Sequence, residues 1–168
     1  MAGSPNNGGD PVTTAVFFAA RRLIDRLADL TRPGLPLDGV QVAYGFPGQV
    51  QQRCVYLGEL PFTQTKGPTA GARDTLVQET GTVTLYVRVV QPLAAVPDGQ
   101  DPVAVADGAA ELIVDAVGGY LLDHPDLLGP NTDLFPAGGR RDYAQTDDEV
   151  IVAVRYDLTF TAFLGGAA

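Results

Sequence analysis

Residues Glu149 to Leu164 read EVIVAVRYDLTFTAFL, and this stretch decides the fold because it alternates more regularly than any other part of the chain. One face collects apolar side chains: Val150, Val152, Val154, Tyr156, Leu158, Phe160, Ala162 and Leu164. The pattern predicts a single strand with one face in a core. At about 3.3 Å per residue the strand would be about 50 Å long, whereas a globule of this chain length is about 40 Å across. We therefore expect the strand to bend or to project.

The second face of this strand is mixed. Polar residues occupy its middle, and Ile151, Ala153 and Phe163 occupy its ends. Such a face meets water or another subunit. We expect Val150 to Phe160 to lie in the core sheet and the remainder to lie near a subunit boundary.

Two amphipathic helices are predicted elsewhere in the chain. The first is capped by Thr13 or Thr14, runs to about Leu30 and is stopped by Pro33-Gly34. Its apolar stripe comprises Val16, Phe17, Ala20, Leu23, Ile24, Leu27 and Leu30. The second begins at Pro102, runs to about Leu122 and is predicted to fray after Val117 because Gly118 and Gly119 follow.

Three further strands complete the predicted sheet. Val40 to Tyr44 and Arg53 to Leu60 are expected to form a hairpin, and Asp74 to Gln91 a long strand with a bulge at Gly81. The predicted fold is therefore α+β, with two helices packed on a mixed, largely antiparallel sheet of about four long strands in the order α-β-β-β-α-β. Residues 1–12 are expected to form a flexible tail and residues 13–168 a single domain, with extended loops at 61–75 and 123–148.

Composition argues against most kinds of chemistry. The net charge of −9 disfavours a protein that wraps duplex DNA, whose affinity comes from basic contacts to phosphate. The sole histidine, His124, lies beside a predicted helix end, the sole serine, Ser4, lies in the tail, and the sole cysteine, Cys54, lies in an apolar strand. We therefore predict no enzyme activity, no metal and no cofactor. The chain also has no run of 18 apolar residues, so we expect no membrane contact.

Candidate interface residues are the polar and charged side chains of the two predicted loops and of the polar strand faces. They are Thr63, Gln64, Lys66, Arg73, Arg88, Arg140, Arg141 and Asp157. The pair Arg140-Arg141 is open to three interpretations: a solvated pair, a salt bridge between subunits or a phosphate contact. We predict that Arg88 or Asp157 pairs across strands or across subunits.

The first predicted hairpin resembles that of a known protein family. Val-Gln-Val-Ala-Tyr-Gly-Phe-Pro at residues 40–47, followed by Val-Tyr-Leu-Gly-Glu-Leu at residues 55–60, resembles the tail-terminator and tail-completion proteins of long-tailed bacteriophages. The order of elements from Thr13 to Leu164 is also similar to theirs.

The resemblance implies a structural virion protein. Such a protein forms a homo-oligomeric ring, usually a hexamer, which caps the tail tube and joins the tail to the head-side connector protein. Its partners would be copies of itself, the tube protein and the connector, and DNA would pass through the ring without specific binding. The location would be the tail-neck region of the virion, and the host cytoplasm during assembly. The alternatives are a head-completion or neck connector protein and a small-molecule-binding α+β domain.

Overall fold

The structure is a computed structural model that describes residues 14–66, 77–129 and 131–164. Its elements in chain order are helix α1 (Ala15–Asp29), strands β1 (Gln41–Ala43), β2 (Arg53–Leu57), β3 (Phe62–Lys66) and β4 (Val77–Pro92), a short 3₁₀ helix (Leu93–Ala95), helix α2 (Pro102–Asp123), and strands β5 (Thr132–Gln145) and β6 (Glu149–Leu164). The fold class is α+β, as predicted, but within these described ranges the sheet has six strands instead of about four.

The long strand β6 lies inside the sheet, which has the order β1-β2-β4-β6-β5. Each of its 16 residues pairs with a residue of β4, and β5 pairs with it on the other side. Its length is therefore accommodated by an equally long neighbour. Strands β2 and β3 follow one another along the outer edge of β4, where β2 pairs with residues 85–89 and β3 with residues 77–81.

The predicted hairpin at Val40 to Leu60 is wrong, because β1 and β2 are parallel. The side chain of Gln41 shows the reason. Its amide nitrogen donates to the carbonyl oxygen of Gln49 at 3.1 Å, and its amide oxygen accepts from the backbone N–H of Gln51 at 3.0 Å. These bonds return the chain to the start of β1 before β2 begins, so both strands run in the same direction.

Both predicted loops contain strands. The loop at 61–75 begins with β3, whose five residues are all exposed, and residues 67–76 lie outside the described residues. Strand β5 occupies most of the loop at 123–148. It is an edge strand with almost no buried residue, and its register shifts between Pro136 and Gly138. An exposed edge strand with a proline and a bulge shows no apolar alternation, which explains why its sequence reads as a loop.

Both helices pack on one face of the sheet around one hydrophobic core. The predicted buried face of β6 is confirmed, and Leu158 and Phe160 are fully buried there in the same cluster as Leu23 and Leu27 of α1. Full burial of side chains of this size stabilises the fold by about 1.5–3 kcal/mol each. Phe17 departs from the predicted apolar stripe of α1, because it is 50% exposed.

Three glycine positions differ from expectation or depend on close packing. Helix α2 continues through Gly118 and Gly119 to Asp123, so the predicted fraying is not seen. Gly81 pairs in register with both β3 and β6, so it does not form a bulge. A Cβ added at Gly81 would lie 2.4 Å from the carbonyl oxygen of Pro61, so this position is kept free for a close backbone approach.

The helices of the described ranges do not have the combination of length and hydropathy that crossing a membrane requires.

Candidate interaction surfaces

The face of the sheet opposite the helices is a candidate surface, and we call it the open face. Its side chains on the two long strands are Thr82, Thr84, Tyr86, Arg88, Val90, Ile151, Ala153, Arg155, Asp157 and Thr159. Most of them are half-buried, Thr159 is exposed and Thr84 is fully buried. This face therefore has the mixed polar and apolar character predicted for it.

A hydrogen-bonded network occupies the middle of the open face. The hydroxyl of Thr84 donates to Asp157 Oδ1 at 2.7 Å, and Arg155 Nε donates to the two carboxylate oxygens of Asp157 at 3.0 and 3.2 Å. Burial by itself would raise the pKa of Asp157, but the hydrogen bonds from Thr84 and Arg155 and the charge of Arg155 hold that pKa below its usual value. The same contact raises the pKa of Arg155. The prediction that Asp157 pairs across strands is confirmed.

Aromatic side chains extend the open face over β2. The rings of Tyr56 and Tyr86 stack with centroids 5.4 Å apart, and Phe46 meets Tyr56 edge-on at the same distance. Phe46 remains 67% exposed. Exposed aromatic rings beside polar groups are typical of protein interfaces, which are enriched in tyrosine and phenylalanine.

Arg88 lies at this aromatic end of the open face. It lines an open depression of about 500 Å³ together with Phe46 and Glu149. Its partner in the strand register is Cys54, which is fully buried. Burial raises the pKa of the Cys54 thiol, and the nearby charge of Arg88 opposes this shift.

The predicted Arg140-Arg141 pair is divided between the two faces, because neighbouring residues of a strand point in opposite directions. Arg140 lies on the open face, where it bonds to Asp142 at 3.1 Å and lines a depression of about 490 Å³ with Arg155 and Asp157. The structure thus brings Arg140 and Asp157 together.

Arg141 points to the helix side of the sheet. Its Nε donates to Asp107 Oδ1 of α2 at 2.7 Å, and its Nη2 donates to the second oxygen of the same carboxylate. This two-bond contact raises the pKa of Arg141. The guanidinium also lies 4.9 Å from the ring centroid of Tyr143. The charge of Arg141 therefore has a partner within its own chain.

Three of the predicted residues of the first loop, Thr63, Gln64 and Lys66, lie on β3. Thr63 and Lys66 are exposed there, and Arg73 lies outside the described residues. Gln64 has an internal role, because its amide nitrogen donates to Glu79 Oε2 at 2.7 Å.

Glu79 has a structural role that its sequence pattern did not predict. It is fully buried on the helix side of β4, and its Oε1 accepts the backbone N–H of Val16 at 2.6 Å. Val16 lies in the first turn of α1, where backbone donors lack intrahelical partners. Thr14 occupies the N-cap position but makes no capping bond with its side chain, so Glu79 caps the helix from a distant strand. The available signal was a lone carboxylate four residues before Val83, an even spacing that places it on the apolar face of β4.

An exposed aromatic cluster lies beside this cap. Phe17 of α1 meets Phe62 of β3 edge-on, with ring centroids 5.9 Å apart. Phe17 and Phe62 are 50% and 40% exposed, and the neighbouring Phe18 is 59% exposed. Large apolar groups exposed together in this way are typical of contact surfaces.

Comparisons with known proteins give a limited result. No family model matches the chain. The flagellar P-ring proteins of Shewanella loihica and Shewanella woodyi are each 32% identical to it over 110 residues, which cover 62% of this chain and 30% of each relative. The chain therefore spans about 30% of the length of the curated relatives it matches.

Proposed function

We propose that this protein is a structural subunit of a homo-oligomeric ring of the tail-terminator type, which caps a phage tail tube and joins the tail to the head-side connector. The observation that carries the proposal is the open face. It lies on two paired strands of 16 residues each, or about 53 Å of sheet, and no described helix covers it. A surface of this length suits contact with a flat or ring-shaped partner.

The chemistry of the open face supports a protein partner. Its centre is a satisfied polar network, in which Asp157 binds Thr84 and Arg155. Its border carries aromatic rings, with Phe46 the most exposed. Protein interfaces of this type combine aromatic anchors with hydrogen-bonding groups and remain soluble when unoccupied.

The fold also supports the proposal. It retains the general order of elements that the resemblance implies, with a helix first, then strands, a second helix and a long final strand. It differs in its first two strands, which are parallel and form no hairpin, and in the additional strands β3 and β5. The protein would act in the tail-neck region of the virion, after assembly in the host cytoplasm. Its partners would be copies of itself, the tail-tube protein and the connector.

The open face can be tested with one matched pair of variants. Thr159→Arg places a long charged side chain in the open face, and Gln100→Arg places the same side chain on an exposed turn before α2. Each purified chain is mixed with tail tubes and with connector protein encoded by the same genome, and bound chain is measured by co-sedimentation and negative-stain electron microscopy. We expect Thr159→Arg to lose at least tenfold in binding to a partner and Gln100→Arg to bind as the parent does.

The outcomes separate the alternatives. Binding to tube ends, seen as rings in micrographs, supports the terminator function. Binding only to the connector rejects it in favour of a neck protein. Equal binding of both variants rejects the open face as the contact surface.

A second candidate is a structural ring protein of a bacterium. The 32% identity to flagellar P-ring proteins over 110 residues favours it. Gene context distinguishes the two candidates, because a terminator gene is expected next to a major tail protein gene and a flagellar protein gene is expected among flagellar genes.

A further inference from the structure

The two helices carry opposite charge on their outer sides. Helix α1 contains Arg21, Arg22 and Arg26 against two aspartates, Asp25 and Asp29, and Arg32 follows it. Helix α2 contains Asp107, Glu111, Asp115 and Asp123 and has no lysine or arginine. The helix layer therefore has one basic helix and one acidic helix.

Part of this charge is not neutralised within the chain. Asp29 pairs with Arg26 and Arg32, and Asp107 pairs with Arg141. Within the described ranges, however, Glu111 and Asp115 form no ion pair, and neither do Arg21 and Arg22. The guanidinium of Arg21 lies 5.9 Å from the ring centroid of Tyr44.

Large apolar side chains accompany these charges. Leu112 lies between Glu111 and Asp115 and is 70% exposed, and Leu122 is 67% exposed. Phe18 lies one turn before Arg21 and Arg22 and is 59% exposed. Helix α2 is apolar on most sides, which is typical of a helix that is covered on more than one side. In this chain the sheet covers only one of them.

The two helices lie toward opposite edges of the sheet, and they approach each other only where Arg22 and Arg26 of α1 line a depression of about 350 Å³ with Tyr120 and His124 at the end of α2. Helix α1 contacts β1 and β2, at one edge of the sheet, whereas α2 contacts β5, at the other edge. Each helix also contacts β4 and β6 in the centre. The basic surface around Arg21 and the acidic surface around Asp115 therefore belong to opposite halves of the helix layer.

We propose that the outer side of α1 in one copy packs against the outer side of α2 in the next copy, with Arg21 facing Glu111 and Asp115. The occupant of each surface is a second copy of this chain, because its charge and its exposed apolar residues complement the first. Contact between two different surfaces is a heterologous interface, which can be repeated from copy to copy. The copies close into a ring when the rotation that relates one copy to the next is a whole fraction of a full turn. This inference rests on the proposed ring and specifies how its subunits meet.

Cysteine cross-linking tests the contact directly. Cys54 is fully buried, so introduced thiols are the accessible ones in the folded protein. Asp25→Cys marks the outer side of α1, and Gly119→Cys marks the outer side of α2, where a Cβ meets no atom within 4 Å. The two chains are purified separately, mixed at high concentration in low salt and treated with a short bis-maleimide, with Gln100→Cys as the matched control.

A heterologous contact gives a distinctive product pattern. We expect dimers only in the mixture of Asp25→Cys and Gly119→Cys, at a yield at least tenfold above either chain alone and above the control. High salt should reduce that yield, because exposed charges are screened. Dimers of Gly119→Cys alone would show an α2–α2 contact and overturn the inference.

Charge exchange gives an independent readout. Arg21→Glu in the α1-marked chain should strongly reduce the cross-link, and so should Glu111→Lys with Asp115→Lys in the α2-marked chain. Mixing the two reversed chains should restore it, and failure to restore it would reject the proposed pairing. Circular dichroism of each variant controls for folding.

Mass photometry separates this inference from the proposed function. Oligomers without the mixed cross-link would overturn the α1–α2 contact and leave the ring intact. Mixed cross-links in open filaments would support the contact and overturn the closed ring. Monomers without any cross-link at the highest concentration would overturn the contact.

Discussion

Glu79→Gln is the most informative perturbation of this fold, because it removes one negative charge and keeps the shape of the side chain. The carboxylate caps α1 through the N–H of Val16 and is braced by the amide of Gln64. A glutamine at position 79 can still accept from Val16. Its amide nitrogen can then donate to Gln64, provided that the Gln64 amide turns over. Both hydrogen bonds would persist without the charge.

The expected cost follows from the two effects of that charge. A carboxylate at a helix N-terminus stabilises by about 0.3–1 kcal/mol, and by up to about 2 kcal/mol when it is partly buried. Charge-assisted hydrogen bonds also contribute about 1.5–3 kcal/mol, against about 1 kcal/mol for neutral ones. Some of this gain is offset by the cost of burying the charge. We expect Glu79→Gln to lower the free energy of unfolding by about 1 kcal/mol.

Glu79→Ala should lower the free energy of unfolding by about 3 kcal/mol, because it leaves the Val16 N–H buried without its acceptor and creates a cavity. At this chain length about 1 kcal/mol corresponds to about 3 °C in Tm. Thermal and urea unfolding followed by circular dichroism measure both values, at one fixed protein concentration because self-association would shift Tm. Glu59→Gln, at an exposed position, is the matched control and should be unchanged within about 0.3 kcal/mol.

Two results would refute the reasoning. Equal stability of Glu79→Gln and Glu59→Gln would show that the charge contributes nothing to α1. Equal stability of Glu79→Ala and Glu79→Gln would show that the Val16 hydrogen bond contributes nothing.

Three further predictions concern other parts of the molecule. Gly81→Ala should lower the free energy of unfolding by about 1–3 kcal/mol, since its Cβ would lie 2.4 Å from a backbone oxygen, whereas Gly108→Ala, whose Cβ would have no atom within 4 Å, should raise it by about 0.5–1 kcal/mol. Urea unfolding measures both values, and an unchanged stability of Gly81→Ala would contradict the register of β3 on β4. Asp157→Asn should be less stable than the parent at neutral pH, and the difference should shrink as the pH falls below about 4, because the lowered native pKa of Asp157 gives stability that is present above the unfolded-state pKa and lost as the pH falls through the native pKa. A constant difference in the free energy of unfolding between pH 7 and 3, measured by urea titration, would contradict the network. Cys54 should react with a thiol reagent at least a hundredfold more slowly in the folded protein than in urea, because it is fully buried and burial raises the pKa of its thiol; rapid reaction of the native protein would show that β2 opens.

Elements with a buried face were predictable from the sequence. The two helices and β6 were located to within one or two residues at most ends, because burial on one side imposes a period that the sequence must show. Every residue of β6 that is buried between Val150 and Phe160 lies on the face that the alternation predicts to face the core.

Elements with no buried face were missed. Strands β3 and β5 lie at edges of the sheet, and their backbone hydrogen bonds place no demand on side-chain polarity. The parallel pairing of β1 with β2 depends on the contacts of Gln41 with residues 49 and 51, which are specific to the fold and follow no periodic pattern. Long-range side-chain contacts of this kind appear only once the backbone is placed.

The candidate surface was predictable in character and less so in its members. The mixed second face of β6 indicated a contact surface, and Asp157 lies at its centre. Arg140 and Arg141, in contrast, are neighbours in sequence, and the sequence predicts that they form one positively charged pair. In strand β5 they lie on opposite faces, so that Arg140 lies with Asp157 on the open face and Arg141 contacts α2. A wrong assignment of loop and strand therefore changes the predicted chemistry of both residues.

The lengths of the elements connect the cap at Glu79 to the proposed assembly. Helix α1 has 15 residues, or about 22 Å, and lies over a sheet of about 53 Å. Its N-terminus is fixed to β4 by Glu79, and Gln64 of β3 holds the same carboxylate. Glu79 therefore links α1 to β3, in addition to the buried side chains of α1 and the pairing of β3 with β4. Because the outer side of α1 is the surface that we assign to the neighbouring copy, weakening Glu79 should disturb subunit contact as well as stability, although Glu79 itself is buried.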